Sequence, residues 1–248
     1  MIKFFRKIRY NLMEQNKTGK YLKYAIGEII LVVIGILIAL SINNWNENKK
    51  INTIERDIYK NLITSLHKDS TELNRIINFQ FRSLKCQEAI ITNSFTSLRD
   101  SLGIDELKIV IEEVTLGSLS FFPKYGVYNT IISESRMQII KSDSIKSLLI
   151  ELYDYEYKRY QTVDALLDEK YFNEFDPFII RSIGMINGRD KKVFREMDLE
   201  LLEKNYDELV LQCGSIYKLT DASFALLNNI YDKVNHLLVL LRHEISNT

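Results

Sequence analysis

The sequence predicts an all-α protein in which one transmembrane helix near the N-terminus continues into an elongated helical bundle outside the cytoplasm. Only nine Gly and two Pro occur among its 248 residues, and so few helix breakers favour long helices over a turn-rich β architecture. An uninterrupted apolar run near the start has the length of a membrane span. Beyond it, apolar residues recur three and four positions apart. We predict a basic cytoplasmic segment at 1–24, a transmembrane helix at 25–45 and a periplasmic α-helical domain at 46–248.

The apolar run covers residues 25–42, and its notably polar members are Glu28 and Ser41. At a rise of about 1.5 Å per residue, such a helix spans about 27 Å, close to the thickness of the hydrocarbon core. A cleaved signal peptide needs small residues after its apolar region, where this chain has the bulky Ile42 and Trp45. A buried core helix this apolar would be unusual in so polar a domain. The run is therefore predicted to be an uncleaved signal anchor.

The charges flanking the run predict its orientation. Residues 1–24 contain seven Lys or Arg and one acid, and basic flanks remain on the cytoplasmic side of a membrane. This predicts an inner-membrane protein with a cytoplasmic N-terminus and a periplasmic C-terminal domain. Tyr24 and Trp45 bracket the span at the depth of the interfacial aromatic belt.

Residues 1–16 have two interpretations. Their apolar residues recur at helical spacing, which suits a short helix lying on the inner leaflet, whereas a disordered basic tail would enforce topology equally well. The helix would place four residues on one face: Met1, Phe5, Ile8 and Leu12. The stretch "NKTGK" at 16–20 is predicted to break the chain before the span.

Glu28 lies about 5 Å inside the span, where a carboxylate reaches the interface at far less than the mid-bilayer cost. It either marks the boundary beside nearby lysines, or it faces neighbouring spans. The second interpretation is suggested by small residues at Gly27, Gly35 and Ala39, because small residues four apart allow close helix approach. Gly27, Glu28, Gly35 and Ala39 are therefore the candidates for span packing and homo-oligomer formation.

Two segments also carry a family resemblance. "AIGEIILVVIGILIALSINNWNE", preceded by "MIKFFRKIR", resembles the N-terminal signature of an uncharacterised family of single-pass membrane-anchored proteins of Bacteroidota. "YGVYNTIISESRMQIIKSDSIKSLLIELYDYEYKRY" at 125–160 resembles the central block of that family. Family members often carry a glycine where this chain has Glu134, Ser135 and Arg136. The resemblance implies a single-pass anchor and a helical extracytoplasmic domain, and it transfers no activity and no functional residue.

The periodicity and the breakers divide the rest of the chain into helices. The predicted elements are a long helix from Ile51 to Leu98, a short helix at 105–116, a loop at 117–126, a helix capped by Ser142 or Asp143 and reaching Leu167, breaks at 175–178 and 183–192, a helix through Leu199, Leu202 and Leu209, and a last helix at 215–246.

No pattern of catalytic, cofactor-binding or metal-binding residues emerges from the sequence. His236 and His243 share a helix face but lie about 10 Å apart along it, and His67 is remote in sequence, so solvated histidines are expected. The tyrosine-rich stretch 152–160 either lines a ligand cleft or, as we expect, packs half-buried with its hydroxyls in water. We expect no enzyme and no cofactor.

Cys86 and Cys213 are the two cysteines. Outside the cytoplasm they form a candidate disulfide, because each lies in a helix of the predicted bundle. Buried thiols are the alternative, since the spacing does not show that the two residues meet.

Residues 25–248 carry 26 bases and 32 acids. This mildly acidic body argues against a nucleic-acid partner, which requires clustered positive charge. The expected partners are the lipid bilayer, further copies of the chain and other envelope proteins. Two functions remain open: a membrane-anchored scaffold or interaction protein, or a ligand-binding sensory module that signals through a separate subunit.

Overall fold

The computed structural model describes Tyr10, residues 18–187 and residues 193–247, and it confirms the all-α class. The predicted interfacial helix at 1–16 lies outside the described residues, apart from Tyr10, and so does the side chain of Tyr24. By the density of its contacts the chain forms two units, 1–56 and 57–248.

Nine α-helices and two very short strands make up the regular structure of the described residues. They are α1 (Thr18–Thr92), α2 (Phe95–Leu102), α3 (Ile104–Val114), α4 (Gly126–Ser133), α5 (Asp143–Ile150), α6 (Tyr157–Lys170), α7 (Asp176–Phe178), β1 (Ile186–Asn187), β2 (Val193–Arg195), α8 (Leu199–Lys204) and α9 (Tyr206–Asn247). Single 3₁₀ turns occupy Thr115–Ser118 and Arg136–Ile139, and π-helical segments occupy Glu151–Glu156, Tyr171–Phe175 and Ile179–Ile183.

Helix α1 contains the apolar run and continues without interruption, as the sequence predicts. It is the helix of the described residues that is long and apolar enough to cross a membrane, and none of its most apolar 18-residue window is buried within the chain. The predicted break at 16–20 is wrong from Thr18 onwards, because the helix begins there. Propagating an existing helix costs little compared with nucleating a new one, so a single Gly19 does not stop it.

The C-terminal end of α1 comes earlier than predicted. The long helix was expected to reach Leu98, but it ends at Thr92, and α2 begins at Phe95. Ser94 caps the new helix, since its hydroxyl accepts a hydrogen bond from the amide of Ser97. The apolar residues of α2 continue the helical period of α1 by coincidence, and the break is therefore invisible to periodicity.

Residues 143–183 form one composite helical run, named here the composite helix, in which α5, α6 and α7 alternate with three π-helical segments. Its N-cap is Ser142, as predicted. The predicted break at 175–178 is wrong, because the run stays helical through Pro177. Proline has no N–H to donate, and the wider π turns on both sides of α7 change the hydrogen-bonding partners around it.

The later boundaries show one success and three differences. Gly184 ends the composite helix in the left-handed conformation, with φ 76°, at the predicted break. Helix α4 and the antiparallel pair β1–β2 were not predicted. The last helix starts at Tyr206 instead of residue 215, and so contains Leu209. Asn205, which bonds the carbonyl of Ser182, separates it from α8.

Ser135 is the non-glycine residue of the described chain that has a positive φ, at 53°. It follows the end of α4 and occupies the left-handed region that favours glycine. A serine therefore adopts, at this turn, a backbone conformation that glycine adopts more readily.

The helical unit has two hydrophobic cores. The first core joins α1, α4, the start of the composite helix and the C-terminal half of α9, with Leu62, Leu66, Ile76, Ile131, Leu149, Tyr153, Tyr157, Leu227, Ile230, Val234 and Leu237. The second core joins the end of α1, α2, α3, the end of the composite helix, α8 and the start of α9, with Ile90, Leu107, Ile111, Phe175, Ile183, Met185, Met197, Leu202, Leu209, Cys213 and Ile216.

Candidate functional site

Five tyrosines pack together inside the first core; we name Tyr125, Tyr128, Tyr153, Tyr157 and Tyr160 the tyrosine cluster. Tyr128 and Tyr153 stack with centroids 4.3 Å apart and planes 4° apart, and Tyr157 meets Tyr153 edge-on at 5.0 Å. Such pairs add about 0.5–1.5 kcal/mol beyond the area they bury. The cluster therefore helps to fix the start of the composite helix against the loop before α4.

The hydroxyls of the cluster differ in their partners. Tyr128 donates to Asp154 at 2.6 Å, and Tyr160 donates to Asp164 at 2.8 Å while it accepts from the amide of Phe121. The hydroxyls of Tyr153 and Tyr157 bond to no described residue. Burial raises the pKa of each of these four tyrosines, so all four remain protonated donors.

The sequence-based expectation for this stretch was therefore wrong in one respect. Tyr153, Tyr157 and Tyr160 are fully buried rather than half-buried with their hydroxyls in water, and Tyr155 alone of the stretch's tyrosines lies exposed. The helical spacing of the three buried tyrosines explains the difference, although the first of them lies in the π-helical segment Glu151–Glu156. Positions 153, 157 and 160 are spaced four and three residues apart, so they belong to one inward stripe that also contains Leu149, Asp164 and Leu167.

A buried ion pair lies beside the tyrosine cluster. Asp69 of α1 is fully buried, and Lys124 donates to it twice, from the side chain at 2.9 Å and from the backbone amide at 3.3 Å. Burial raises the pKa of Asp69, although the bonds and charge of Lys124 oppose that shift. The pair fastens the loop that precedes α4 onto α1.

Above this pair is a surface depression of about 460 Å³, which we name the Lys124 depression. Its walls are six residues of α1 and the loop: His67, Lys68, Thr71, Glu72, Phe122 and Lys124. Glu72 is neutralised by Arg75, which bonds both carboxylate oxygens. Lys68 forms no ion pair with any described residue, and Phe122 is 75% exposed. The depression therefore combines an uncompensated positive charge with an accessible aromatic face.

A set of buried polar side chains lies between the two cores. We name it the polar layer: Gln80, Ser83 and Gln87 of α1, Tyr171 of the composite helix, and Thr220 and Ser223 of α9, all fully buried. Gln87 donates to Ser83 at 3.0 Å, to Tyr171 at 3.2 Å and to Thr220 at 3.4 Å. Ser83 and Tyr171 both donate to the carbonyl of Val114.

Gly117 lies against the polar layer at a very close approach. A Cβ at this position would lie 2.7 Å from the hydroxyl oxygen of Ser83 and still closer to that of Tyr171. Real Cβ atoms essentially never come that near to another heavy atom. Glycine is therefore required here for space rather than for backbone conformation.

The predicted span-packing residues all lie on α1. Gly27, Gly35 and Ala39 are exposed, Glu28 is half-buried, and a Cβ added at either glycine would meet nothing within 4 Å. A surface of this kind is open to lipid or to another helix, and a single chain does not distinguish between them. Span packing remains a prediction.

Cys86 and Cys213 carry free thiols in the structure, and both pack in the second core. Burial raises the pKa of Cys86 to about 11, helped by Glu113, and raises that of Cys213 to about 12, helped by the charge of Cys86. The two helices that carry them thus meet at this level, as the disulfide prediction required. Pairing itself remains a prediction.

The three histidines lie on the exposed faces of α1 and α9. Within residues 18–187 and 193–247, no three His, Cys, Asp or Glu side chains gather in a way that could hold a metal ion.

Sequence reasoning missed Asp69, Lys124 and the polar layer. The inward stripe of α1 runs with steps of three and four through positions 62, 66, 69, 73, 76, 80, 83, 87 and 90. Four members of that stripe are polar: Asp69, Gln80, Ser83 and Gln87. Extending the apolar period through polar positions would have marked them as buried, and buried polar groups need partners.

Comparison with known proteins gives one match. No curated protein and no solved structure matches the chain significantly. The model of a family of unknown function, DUF6090, matches residues 28–178, from inside the apolar run to the end of α7 and hence across the Lys124 depression. The chain therefore belongs to the DUF6090 family.

Proposed function

We propose that this protein is a single-pass inner-membrane scaffold or interaction protein, whose helical periplasmic domain assembles with further copies of itself or with other envelope proteins. The observation that supports this most is the fully exposed apolar window of α1. An 18-residue apolar surface without cover inside the chain is stable in lipid or against other apolar helices. The family resemblance to Bacteroidota membrane-anchored proteins agrees with this interpretation.

The charge distribution supports the proposed orientation, with the N-terminus in the cytoplasm and the domain in the periplasm. The seven basic residues of 1–24 precede the span. We expect a periplasm-active reporter fused after Thr248 to be active and one fused before Met1 to be inactive. The reverse pattern would contradict the proposed topology.

Assembly through the span is tested on the full-length protein in a mild detergent. Gly35→Leu adds a side chain to the stripe of Gly27, Gly35 and Ala39, and we expect it to shift the oligomer to smaller species because it separates closely packed backbones. Val33→Leu, which enlarges a residue on the opposite face, is the matched control. Light scattering of each variant measures the size.

Glu28→Gln distinguishes the two roles of Glu28 in the same experiment. A carboxyl that hydrogen-bonds within an oligomer tolerates Gln, which keeps the shape and a donor, and we expect assembly close to wild type. A monomeric wild type, or a Gly35→Leu variant that assembles normally, would contradict span packing. Glu28 and the small residues would then serve only in membrane anchoring.

The interior polar groups support a structural rather than an enzymatic role. Asp69 bonds Lys124, Tyr160 bonds Asp164, and the polar layer bonds within itself. Perturbed pKa values are a signal of catalytic sites when the group faces a cleft. Here the cause is burial in the core, so we propose that the protein is not an enzyme.

A second candidate function, a ligand-binding sensory module that signals through a separate subunit, is favoured by the Lys124 depression. A free lysine beside an exposed aromatic ring suits a small organic carboxylate with an apolar group. Titration of the full-length protein with benzoate by calorimetry tests this. We expect Lys68→Met to weaken binding at least tenfold and Lys85→Met, on the same helix but remote from the depression, to leave it unchanged. Absence of binding in the wild type would remove the Lys124 depression as support for a sensory function.

A further inference from the structure

The polar layer lies at the same level in the two longest helices of the domain. On α1 it occupies inward positions after Ile76 of the first core and before Ile90 of the second. On α9, which runs in the opposite sequence order, Thr220 and Ser223 lie between Ile216 of the second core and Leu227 of the first. On the inward faces the apolar contact between the helices is thus interrupted at one level, while Phe81 and the neighbouring Phe224 still meet at the exposed edge with ring centroids 6.1 Å apart. The two cores are separate clusters.

The hydrogen bonds of this layer are incomplete. Gln80 donates to Ser223 at 3.0 Å, and Gln87 donates to its three partners, so both amide nitrogens are bonded. The amide oxygens of Gln80 and Gln87 accept nothing from any residue in the described ranges, and both side chains are fully buried. A buried acceptor without a donor is destabilising, and that penalty disappears when the group reaches water.

We propose that the polar layer is a conformational boundary at which the second core opens while the first core stays folded. Opening at this level returns the two amide oxygens to water, and the ring contact that it breaks, between Phe81 and Phe224, already lies at the exposed edge of the layer. A boundary inside either core would instead cut through one apolar cluster and leave tightly packed side chains exposed on the part that stays folded, with no such compensation.

The elements of the second core are suited to separate opening. Helices α2, α3 and α8 have eight, eleven and six residues, and helices this short are not stable without tertiary contacts. The start of α9 is held to the end of α1 by the hydroxyl of Tyr206, which bonds the carbonyls of Ile90 and Asn93. Separation of α9 from α1 in this half therefore releases a cooperative unit that includes all three helices.

Hydrogen exchange by mass spectrometry on the full-length protein in detergent tests the proposal. In the wild type we expect amides of α9 at 209–216 to exchange at least tenfold faster than those at 230–237, with the amides of α3 following the faster group. Gln87→Met removes one unpaired oxygen and fills the position with an apolar chain of similar size. The former partners of Gln87 keep bonds to the carbonyls of Val114 and Ile216.

The variant should slow exchange at 209–216 and in α3 at least threefold, with no change at 230–237. We expect Gln80→Met to slow exchange in the same segments, so the test can still be made if one of the two variants fails to fold. Gln138→Met, at an exposed position, is the matched control. Simple fraying at the start of α9 would not respond to either variant. Equal exchange in the two segments of the wild type, or an unchanged ratio in the folded variants, would overturn the proposal.

Discussion

The first and second cores reach similar burial by different means. The first core is built where long helices face each other, and its specific contacts are ring against ring, as between Tyr128 and Tyr153. The second core is built from short helices and turns, and caps hold its parts together. Asp198 caps α8 by accepting from the amides of Glu200 and Leu201, and its own amide bonds the carbonyl of Ile183.

The comparison shows that the two kinds of core are recognisable in the sequence by different signals. Packing between long helices appears as periodicity, because the inward positions repeat every three or four residues. Packing of short helices depends on caps and on single side-chain bonds to the backbone. The cores should therefore also respond differently to substitution, and four predictions test this, in order of decreasing effect.

The largest effect is expected where the polar layer separates the cores. Gly117→Ala should lower the free energy of unfolding by about 1–3 kcal/mol, because the new methyl group overlaps Tyr171 and Ser83. Gly214→Ala is the matched control: it lies inside α9 with nothing within 4 Å of the added Cβ. There we expect a gain of about 0.5–1 kcal/mol from helix propensity. Urea unfolding measures the free energy of unfolding of both variants. Equal changes in the two variants would show that the polar layer is loosely packed around Gly117.

The second prediction concerns pH and the aspartate under the tyrosine cluster. Burial raises the pKa of Asp164 to about 6, so the folded state holds its proton more tightly than the unfolded state does. Its contribution to stability is complete below the unfolded pKa of about 4 and is lost as the pH rises through 6.

Asp164→Asn should abolish this dependence. Between pH 4 and pH 7, the stability of the variant relative to wild type should rise by roughly 2 kcal/mol. Unfolding at several pH values measures the trend, with exposed Asp221→Asn as the control. A variant that tracks the wild type at every pH would show that Asp164 is hydrated.

The third prediction compares two buried tyrosines. The hydroxyl of Tyr171 in the polar layer bonds Val114 and Gln87, and Tyr171→Phe should cost about 1 kcal/mol. The hydroxyl of Tyr157 in the first core has no partner among the described residues, so Tyr157→Phe should be neutral or slightly stabilising. A clear loss for Tyr157→Phe in thermal unfolding would mean that its hydroxyl is hydrogen-bonded in solution.

The smallest effect is expected at Ser135, whose φ is 53°. Ser135→Gly relieves the steric cost of the left-handed conformation but gives the unfolded chain more freedom. The net gain should be below about 1 kcal/mol. Ser133→Gly, at the last residue of α4, should instead destabilise by up to roughly 0.5 kcal/mol, and the opposite ordering would contradict the assigned backbone conformation.

The periodicity of the sequence was enough to predict α1, α3, the N-cap at Ser142 and the break at Gly184. It failed at Asn93 and Pro177 for opposite reasons. At Asn93 the chain leaves the helix, yet the apolar period continues. The reason is that the apolar residues of α2, which starts a new helix, also face the second core. At Pro177 a real helix continues through a residue that normally ends one, because π turns adjust the bonding around it.

The candidate site was less predictable than the fold. Asp69 and Lys124 are 55 residues apart in sequence, and neither belongs to a recognisable motif. Their partnership arises only when the loop before α4 folds back onto α1. Span packing is predicted from small-residue spacing alone and stays a prediction, because a protein partner of the span would be another molecule.

The three π-helical segments of the composite helix have a consequence for how sequences of this family vary in length. A π turn closes its hydrogen bonds over one residue more than an α turn, so each segment holds a surplus residue without breaking the helix. Deleting one residue there would return the segment to α geometry and keep both flanks helical. Relatives of this chain should therefore differ by single-residue gaps at 151–156 and 171–175, inside the stretch that defines the family. The same gap within α6 would instead turn every later side chain away from its core.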